Sequence, residues 1–242
     1  NERGNMLFII FIAVALLGLL TAAIQYSSNP EGANIDKETL AIRATEAQRY
    51  VSELERAVLY IQQNGYSEDD IRFANPTNDD YGDLSADPDT TDQVFHREGG
   101  GANYRDVPEN VNDGSAWEFY GGTHLPGVGS DRPELVAVLP NVTQQFCQKI
   151  NALNDQSAQP EDTGSGTASG ASAGSCIHLG DNGRFDAGQQ YYDPPGTPNT
   201  VDASTFAQDS TVSEAYTALQ ACVQCVDVVG APYHFYHVLL AR

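Results

Sequence analysis

Residues 35–65 read "IDKETLAIRATEAQRYVSELERAVLYIQQNG". Leu40, Ala44, Ala47, Val51, Leu54, Val58 and Ile61 recur at alternating steps of four and three, which draws one apolar stripe along a helix. Ile42, Tyr50 and Ala57 widen the stripe, while Arg43, Glu46, Arg49, Glu53 and Arg56 take the other face. Asn64–Gly65 is a helix stop, because asparagine and glycine tolerate the left-handed turn that ends a helix. The pattern lasts only about three heptads, too short for a free two-stranded coiled coil. It predicts a helix over 35–64 that covers a sheet.

Upstream, Asn34 or Asp36 can cap that helix. Pro30 and Gly32 break the chain before it, over 29–34, because proline disfavours helix at Asn29 and removes a donor. Before the break lies "MLFIIFIAVALLGLLTAAI", Met6–Ile24, nineteen residues without a charge. As a helix it would be about 28 Å long, near the roughly 30 Å hydrocarbon core of a bilayer. Residues 1–28 are therefore expected to form an apolar helix that spans a membrane or lies in a bundle of like helices. The large residues Met6, Leu7, Phe8, Ile9, Phe11, Ile12, Leu16, Leu19 and Leu20 would supply the contacts, and Gly18 would let backbones approach closely. Asn1 is not an initiator methionine, so residues upstream are expected to have been removed or left out.

Downstream, residues 65–242 are expected to form an acidic, β-rich head. "AWEFYGG" predicts a strand ending at Gly-Gly, and "ELVAVLP" a buried strand stopped by Pro140. "NVTQQFCQKINALN" predicts a helix with Val142, Phe146, Ile150 and Leu153 on one face and Cys147 beside it. Residues 155–175 have the Gly/Ser/Ala composition of an exposed insertion. "AYTALQACVQCVDVV", "GAP" and "YHFYHVLLAR" predict two strands around a tight turn. The expected architecture is α+β: a long N-terminal helix, apolar then amphipathic and broken near Pro30, packed on a mostly antiparallel sheet and stapled by disulfides.

The formal net charge is −21, and its distribution is uneven. Residues 1–64 carry seven acids and five bases, whereas 65–242 carry 26 acids and seven bases. Such a head repels nucleic acid and acidic substrates and favours hydration and solubility. Four cysteines, Cys147, Cys176, Cys222 and Cys225, read in an exported chain as two disulfides, with three pairings open.

No catalytic constellation stands out. Cys222–Cys225 has redox spacing, but it falls in an expected strand rather than at a helix N-terminus. Gly170–Gly174 matches the G-x-S-x-G pattern inside a low-complexity tract, without the strand and helix that motif needs. His96, His124, His178, His234 and His237 are scattered, and the last two would face opposite sides of a strand. Asp79, Asp80, Asp83, Asp87, Asp89 and Asp92 could hold calcium, although EF-hand spacing is absent, and no other cofactor is expected. Asn141 heads an N-V-T sequon.

A short polar leader, about twenty apolar residues, an amphipathic helix, a sheet and a disulfide together resemble a type IV pilin or pseudopilin. The stretches "RGNMLFIIFIAVALLGLLTAAI", "VFHREGGG", "ELVAVLPNVTQQFCQKIN" and "YHFYHVLLAR" more specifically resemble a group of pilin-like proteins from alphaproteobacteria, over most of 3–154 and 218–242. The resemblance implies a structural subunit of a filament. Its partners would be copies of itself, the inner membrane before assembly and an assembly machinery, with the finished polymer outside the cell. The alternative is a membrane-tethered periplasmic pseudopilin or binding module.

Two departures stand out. The glutamate that pilins carry at the fifth position of the mature helix is missing: that position is Ile9 if cleavage follows Gly4, and Asn5 if Asn1 is the start. Register would then come from packing, or from Glu2 and Arg3 near the membrane surface. Where the group carries two further cysteines, this chain has Tyr66 and Gln93. The resemblance implies that Cys147 bonds Cys222 or Cys225 and that Cys176 takes the other.

Overall fold

Helix α1 occupies residues 37–63, within two residues of the stretch that its apolar stripe predicts. The computed structural model describes residues 37–86, 88–125, 128–130, 134–154, 161–162, 199–200, 218–225 and 230–242. The chain divides into two compact units, Asn1–Ile42 and Arg43–Arg242, and the whole sheet belongs to the second. Ala44, Ala47, Tyr50, Val51, Leu54, Ala57, Val58 and Ile61 are all buried. Burying Val51, Leu54, Val58 and Ile61 contributes roughly 1.5–3 kcal/mol each before chain entropy is counted. Ile42, expected to widen the stripe, is instead exposed. The helix stops where Gly65 takes φ +95° and its N–H returns to the Gln62 carbonyl, a backbone state that costs glycine little.

The sheet is built from β1 (Glu118–His124), β2 (Glu134–Val142), β3 (Glu161–Asp162), β4 (Asn199–Thr200), β5 (Gln220–Cys225) and β6 (Tyr233–Leu240), in the order β3-β5-β6-β2-β1-β4. The four long strands pair antiparallel. The two-residue strands β3 and β4 add parallel at the edges, so the low-complexity insertion supplies a scrap of strand through Glu161–Asp162. The architecture is α+β, as expected.

Both sheet faces are covered. One carries Tyr120, Val136, Val138, Ala221, Val223, Tyr236 and Val238, with Leu125 and Val128 in the same cluster and Ala218 against it. The other faces the helices. There Tyr50 of α1 meets Trp117 edge-on, Trp117 meets Phe235 of β6, and Phe235 meets Phe146. Phe73 stacks on Phe119 of β1 at a centroid distance of 4.1 Å, and Tyr81 and Phe95 close that cluster. Double covering explains why β2 reads as a continuous apolar run: every residue in it but Asn141 is buried.

Two expected strand ends are bulges instead. β1 runs through Gly121–Gly122, and its register against β2 gains one residue between Tyr120 and Thr123. β2 runs through Pro140. That proline lies beyond the last β1 pair, Glu118↔Val138, and inside an irregularity of the β6 register. Its missing N–H therefore breaks no regular ladder.

Helix α2 (Gln144–Leu153) is capped by Thr143, whose side chain accepts from the Phe146 N–H. Its buried residues are Phe146, Cys147, Ile150 and Asn151, while Leu153, expected on that face, is 44 % exposed. Cys147 bonds Cys222 of β5 across 75 residues of sequence. In the chain-entropy account a loop of that size is worth about 4 kcal/mol. Asn151 reaches the same residue: its Nδ2 donates to the Cys222 carbonyl at 2.8 Å, and its Oδ1 accepts from the Cys222 N–H at 2.8 Å. These groups point away from β6, because Cys222 lies opposite Phe235 between the bonded pairs. An amide side chain thus takes the role of a strand partner on the outer edge of β5.

Glu134 opens β2 and is fully buried, and its Oε2 accepts from the Leu125 N–H at 2.7 Å. Burial pushes its carboxyl up to about 8, against the pull of the Leu125 and Glu134 backbone N–H groups.

Two outcomes are expected. Asn151→Leu leaves two buried backbone groups on β5 without their partner and lowers stability by about 2–4 kcal/mol, read from urea unfolding of the full chain. Glu134 has a folded pKa above its ordinary 4.5, so its contribution is full below that value and is lost as pH rises through about 8. Stability should fall across that window by at most about 1.4 kcal/mol per pH unit, and Glu134→Gln should remove that slope from urea midpoints measured against pH.

Candidate functional site

Three places in the described head gather polar side chains. The first joins α1, α2, β5 and β6. His237 of β6 sits between two acceptors: its Nδ1 is 3.1 Å from Gln220 Oε1, and its Nε2 is 3.1 Å from Glu55 Oε2. Gln220 Nε2 donates to Asn154 Oδ1 at 3.2 Å, and Gln48 Nε2 donates to the same oxygen at 3.0 Å. Asn154 is fixed in turn by its Nδ2, which donates to the Gln220 carbonyl. This sets the amide orientations, so both imidazole nitrogens face oxygen. A neutral ring can donate through only one of them, whereas the imidazolium donates to both. Burial pushes the ring below its usual range, and the hydrogen bond and charge of Glu55 pull it back up. A histidine–carboxylate pair can move protons in principle. Here both ring nitrogens are engaged within the fold, so the cluster works as a clasp between helix and sheet.

The second place is the acidic loop. An open groove of about 840 Å³ is lined by residues including Asn75, Asp79, Asp83, Leu84 and His96. Its polar groups are largely turned onto their own backbone. Asn75 Oδ1 accepts from Thr77 and Asn78, and Asn75 Nδ2 donates to Phe73. Asp83 Oδ1 accepts from both the N–H and the hydroxyl of Ser85, and Asp89 Oδ1 does the same with Thr91. These side-chain hydroxyls, then the backbone N–H groups, hold Asp83 and Asp89 below the usual carboxylate range. Asp92 is buried, away from the exposed acids. Among the described residues no three His, Cys, Asp or Glu side chains converge as metal ligands. Asp87 lies outside them.

The third place is the exposed side of α1 beside the glycine loop. An open groove of about 480 Å³ runs between Arg56 and Tyr60 and the backbone of Gly100–Ala102. A Cβ at Gly100 would stand 2.7 Å from Ala57 Cβ, so only glycine lets the loop lie this close to the helix. Glu53 pairs with Arg105, whose guanidinium also lies over the Tyr50 ring.

The cysteines divide as follows. Cys147 bonds Cys222, and Cys225 is also disulfide-bonded. The Cys222–Cys225 spacing therefore marks two structural bridges, not a redox pair. Cys176, expected as the remaining partner, lies outside the described residues. Asn141 of the sequon has φ +54°, and its Nδ2 donates to Asp113 and Ser115. Tyr66, where the resemblance suggests a cysteine, hydrogen-bonds through its hydroxyl to Thr91 and Asp89, and Gln93 Oε1 accepts from the Ala74 N–H. Side-chain hydrogen bonds thus tie residue 66 to the 89–93 segment.

The residues assigned to assembly lie outside the described residues: Met6, Leu7, Phe8, Ile9, Phe11, Ile12, Leu16, Gly18, Leu19, Leu20, the charges Glu2 and Arg3, and the break at Pro30 and Gly32. Among the described residues no helix is long and apolar enough to cross a membrane. His178 and Gly170–Gly174 fall outside as well. The Glu55–His237 pair and the Asn151 bridge escape a reading of the sequence, since each joins residues far apart in the chain. The only local signal is a polar residue at 151, one turn beyond Cys147. No family model, curated protein or solved structure matches the chain.

If Glu55 supplies the charge that holds His237 up, Glu55→Gln should move the ring's titration lower still. Nitrogen NMR of the imidazole across pH reads this, and an unchanged midpoint would count against the pairing.

Proposed function

We propose that this chain is a structural, pilin-like subunit of an extracellular type IV pilus-like filament that polymerises through its N-terminal apolar helix. The observation that carries the reading is the uncharged run Met6–Ile24, set directly before an amphipathic helix and an acidic head. Within residues 43–63 the apolar stripe is already buried in the subunit's own head. The long apolar surface that this reading assigns to assembly is therefore the leading run.

In this reading the precursor sits in the inner membrane, and an assembly machinery moves Met6–Ile24 from lipid into a bundle of identical helices. Lipid is as apolar as leucine, so close packing at Gly18 and extraction by the machinery matter more than a hydrophobic gain. Returning the run to water would cost on the order of tens of kcal/mol, so the finished polymer resists dissociation. Pro30 and Gly32 let the head turn relative to the core. The role is structural, not enzymatic, and needs no cofactor. The absence of an acid at Ile9 or Asn5 favours one second reading, a membrane-tethered pseudopilin or binding module that forms no long filament.

Negative-stain microscopy of material sheared from the cell surface separates the two. Filaments containing this chain are expected, and a chain found only with inner membrane would overturn the proposal. Gly18→Leu keeps the run apolar, so the variant should still enter the membrane fraction while the yield of sheared filaments drops.

A further inference from the structure

Arginine is scarce in this chain, and its placement is uneven. Among the described residues Arg43 pairs with Glu46, Arg97 with Glu98, Arg105 with Glu53 and Arg242 with Glu68, while the half-buried Arg72 turns onto the Asp69 and Ile71 carbonyls. Arg49 and Arg56 pair with no carboxylate among the described residues, although the chain holds 33 acids. Both are exposed, and Arg56 only returns its Nε to the Ser52 carbonyl. They stand seven residues apart with Tyr60 four further on, so all three share one face of α1. Tyr60 is 52 % exposed and Leu59 beside it 38 %. The groove between this face and Gly100–Ala102 gives it a concave edge.

We propose that this stripe of α1 (Arg49, Arg56, Tyr60) is a docking surface for the acidic loop of a second copy of the chain, through its exposed Asp79, Asp83 and Asp89. The inference rests on the filament reading. Charge complementarity favours a like copy. Two heads that each carry most of the net charge of −21 repel unless a basic patch meets an acidic one. The acidic loop is suited to the role, because Asp83 and Asp89 are held in place by the turns they form with Ser85 and Thr91. Little side-chain freedom is then lost on docking. Tyr60 adds apolar area at small entropic cost. The contact joins two different patches, so it suits repetition along a polymer, and salt should weaken it.

The test uses the full-length chain on cells and measures filaments in sheared material. Arg49→Glu with Arg56→Glu should reduce filament yield by about tenfold or more, and adding Asp79→Arg with Asp83→Arg to the same chain should restore it. Recovery by the second pair also guards against simple misfolding. Unchanged yield in the first variant, or no recovery in the second, overturns the docking surface. So does unchanged yield accompanied by lost binding to anionic lipid vesicles, which would assign the stripe to a membrane. A wild-type chain that forms no filaments counts against the filament reading itself, whereas filaments indifferent to these charges count against this surface alone.

Discussion

Cys222 is held twice by one helix, and the integrity of the sheet depends on that grip. The sulfur is bonded to Cys147 and the backbone to Asn151, one turn further along α2. Without the helix, β5 would present unpaired N–H and C=O groups at the sheet margin, the usual template for unwanted strand addition. With it, the margin is closed by an asparagine where a long strand would otherwise be needed. Asn154 extends the same device by donating to the Gln220 carbonyl. Further along, the short strand β3 pairs with Gln224 and Cys225 of β5.

The grip also orders the opposite side of the core. Fixing β5 fixes β6, and β6 carries Phe235 into the chain of rings that reaches α1 through Trp117 and Tyr50. It also carries His237 to Glu55. The apolar and polar contacts of α1 with the sheet therefore share one strand. A long helix docked in this way turns Arg49, Arg56, Leu59 and Tyr60 outward, which is why the filament reading looks to the leading run for polymer contacts and to the arginine stripe for contacts between heads.

Much of the architecture is legible in local pattern. The stripe from Ala44 to Ile61 is periodic over five turns, and Asn64–Gly65 punctuates it. The final hairpin shows in two apolar runs around Gly-Ala-Pro. The failures have a common cause. Gly121–Gly122 and Pro140 read as breakers, yet each falls where the partner strand is already out of regular register, so the usual penalty does not arise. Leu153 fits the helical period but lies past the point where α2 leaves the core, while Asn151 breaks the period and is buried, because its amide answers a strand 71 residues away. The candidate site is less legible still. The acids of the 79–92 loop suggest a cation, whereas the fold turns Asp83 and Asp89 onto hydroxyls two residues on, and nothing in composition distinguishes these uses.

The bridge between Cys147 and Cys222 has one more consequence, which concerns mechanics. A pull applied along the backbone, entering through α1 and leaving through β6, meets a covalent shortcut at residue 147 and re-emerges at 222. Residues 148–221, most of α2 and the glycine- and serine-rich stretch among them, lie off that covalent path. On the filament reading, a subunit under load would pass force around that segment through the Cys147–Cys222 bridge rather than through it.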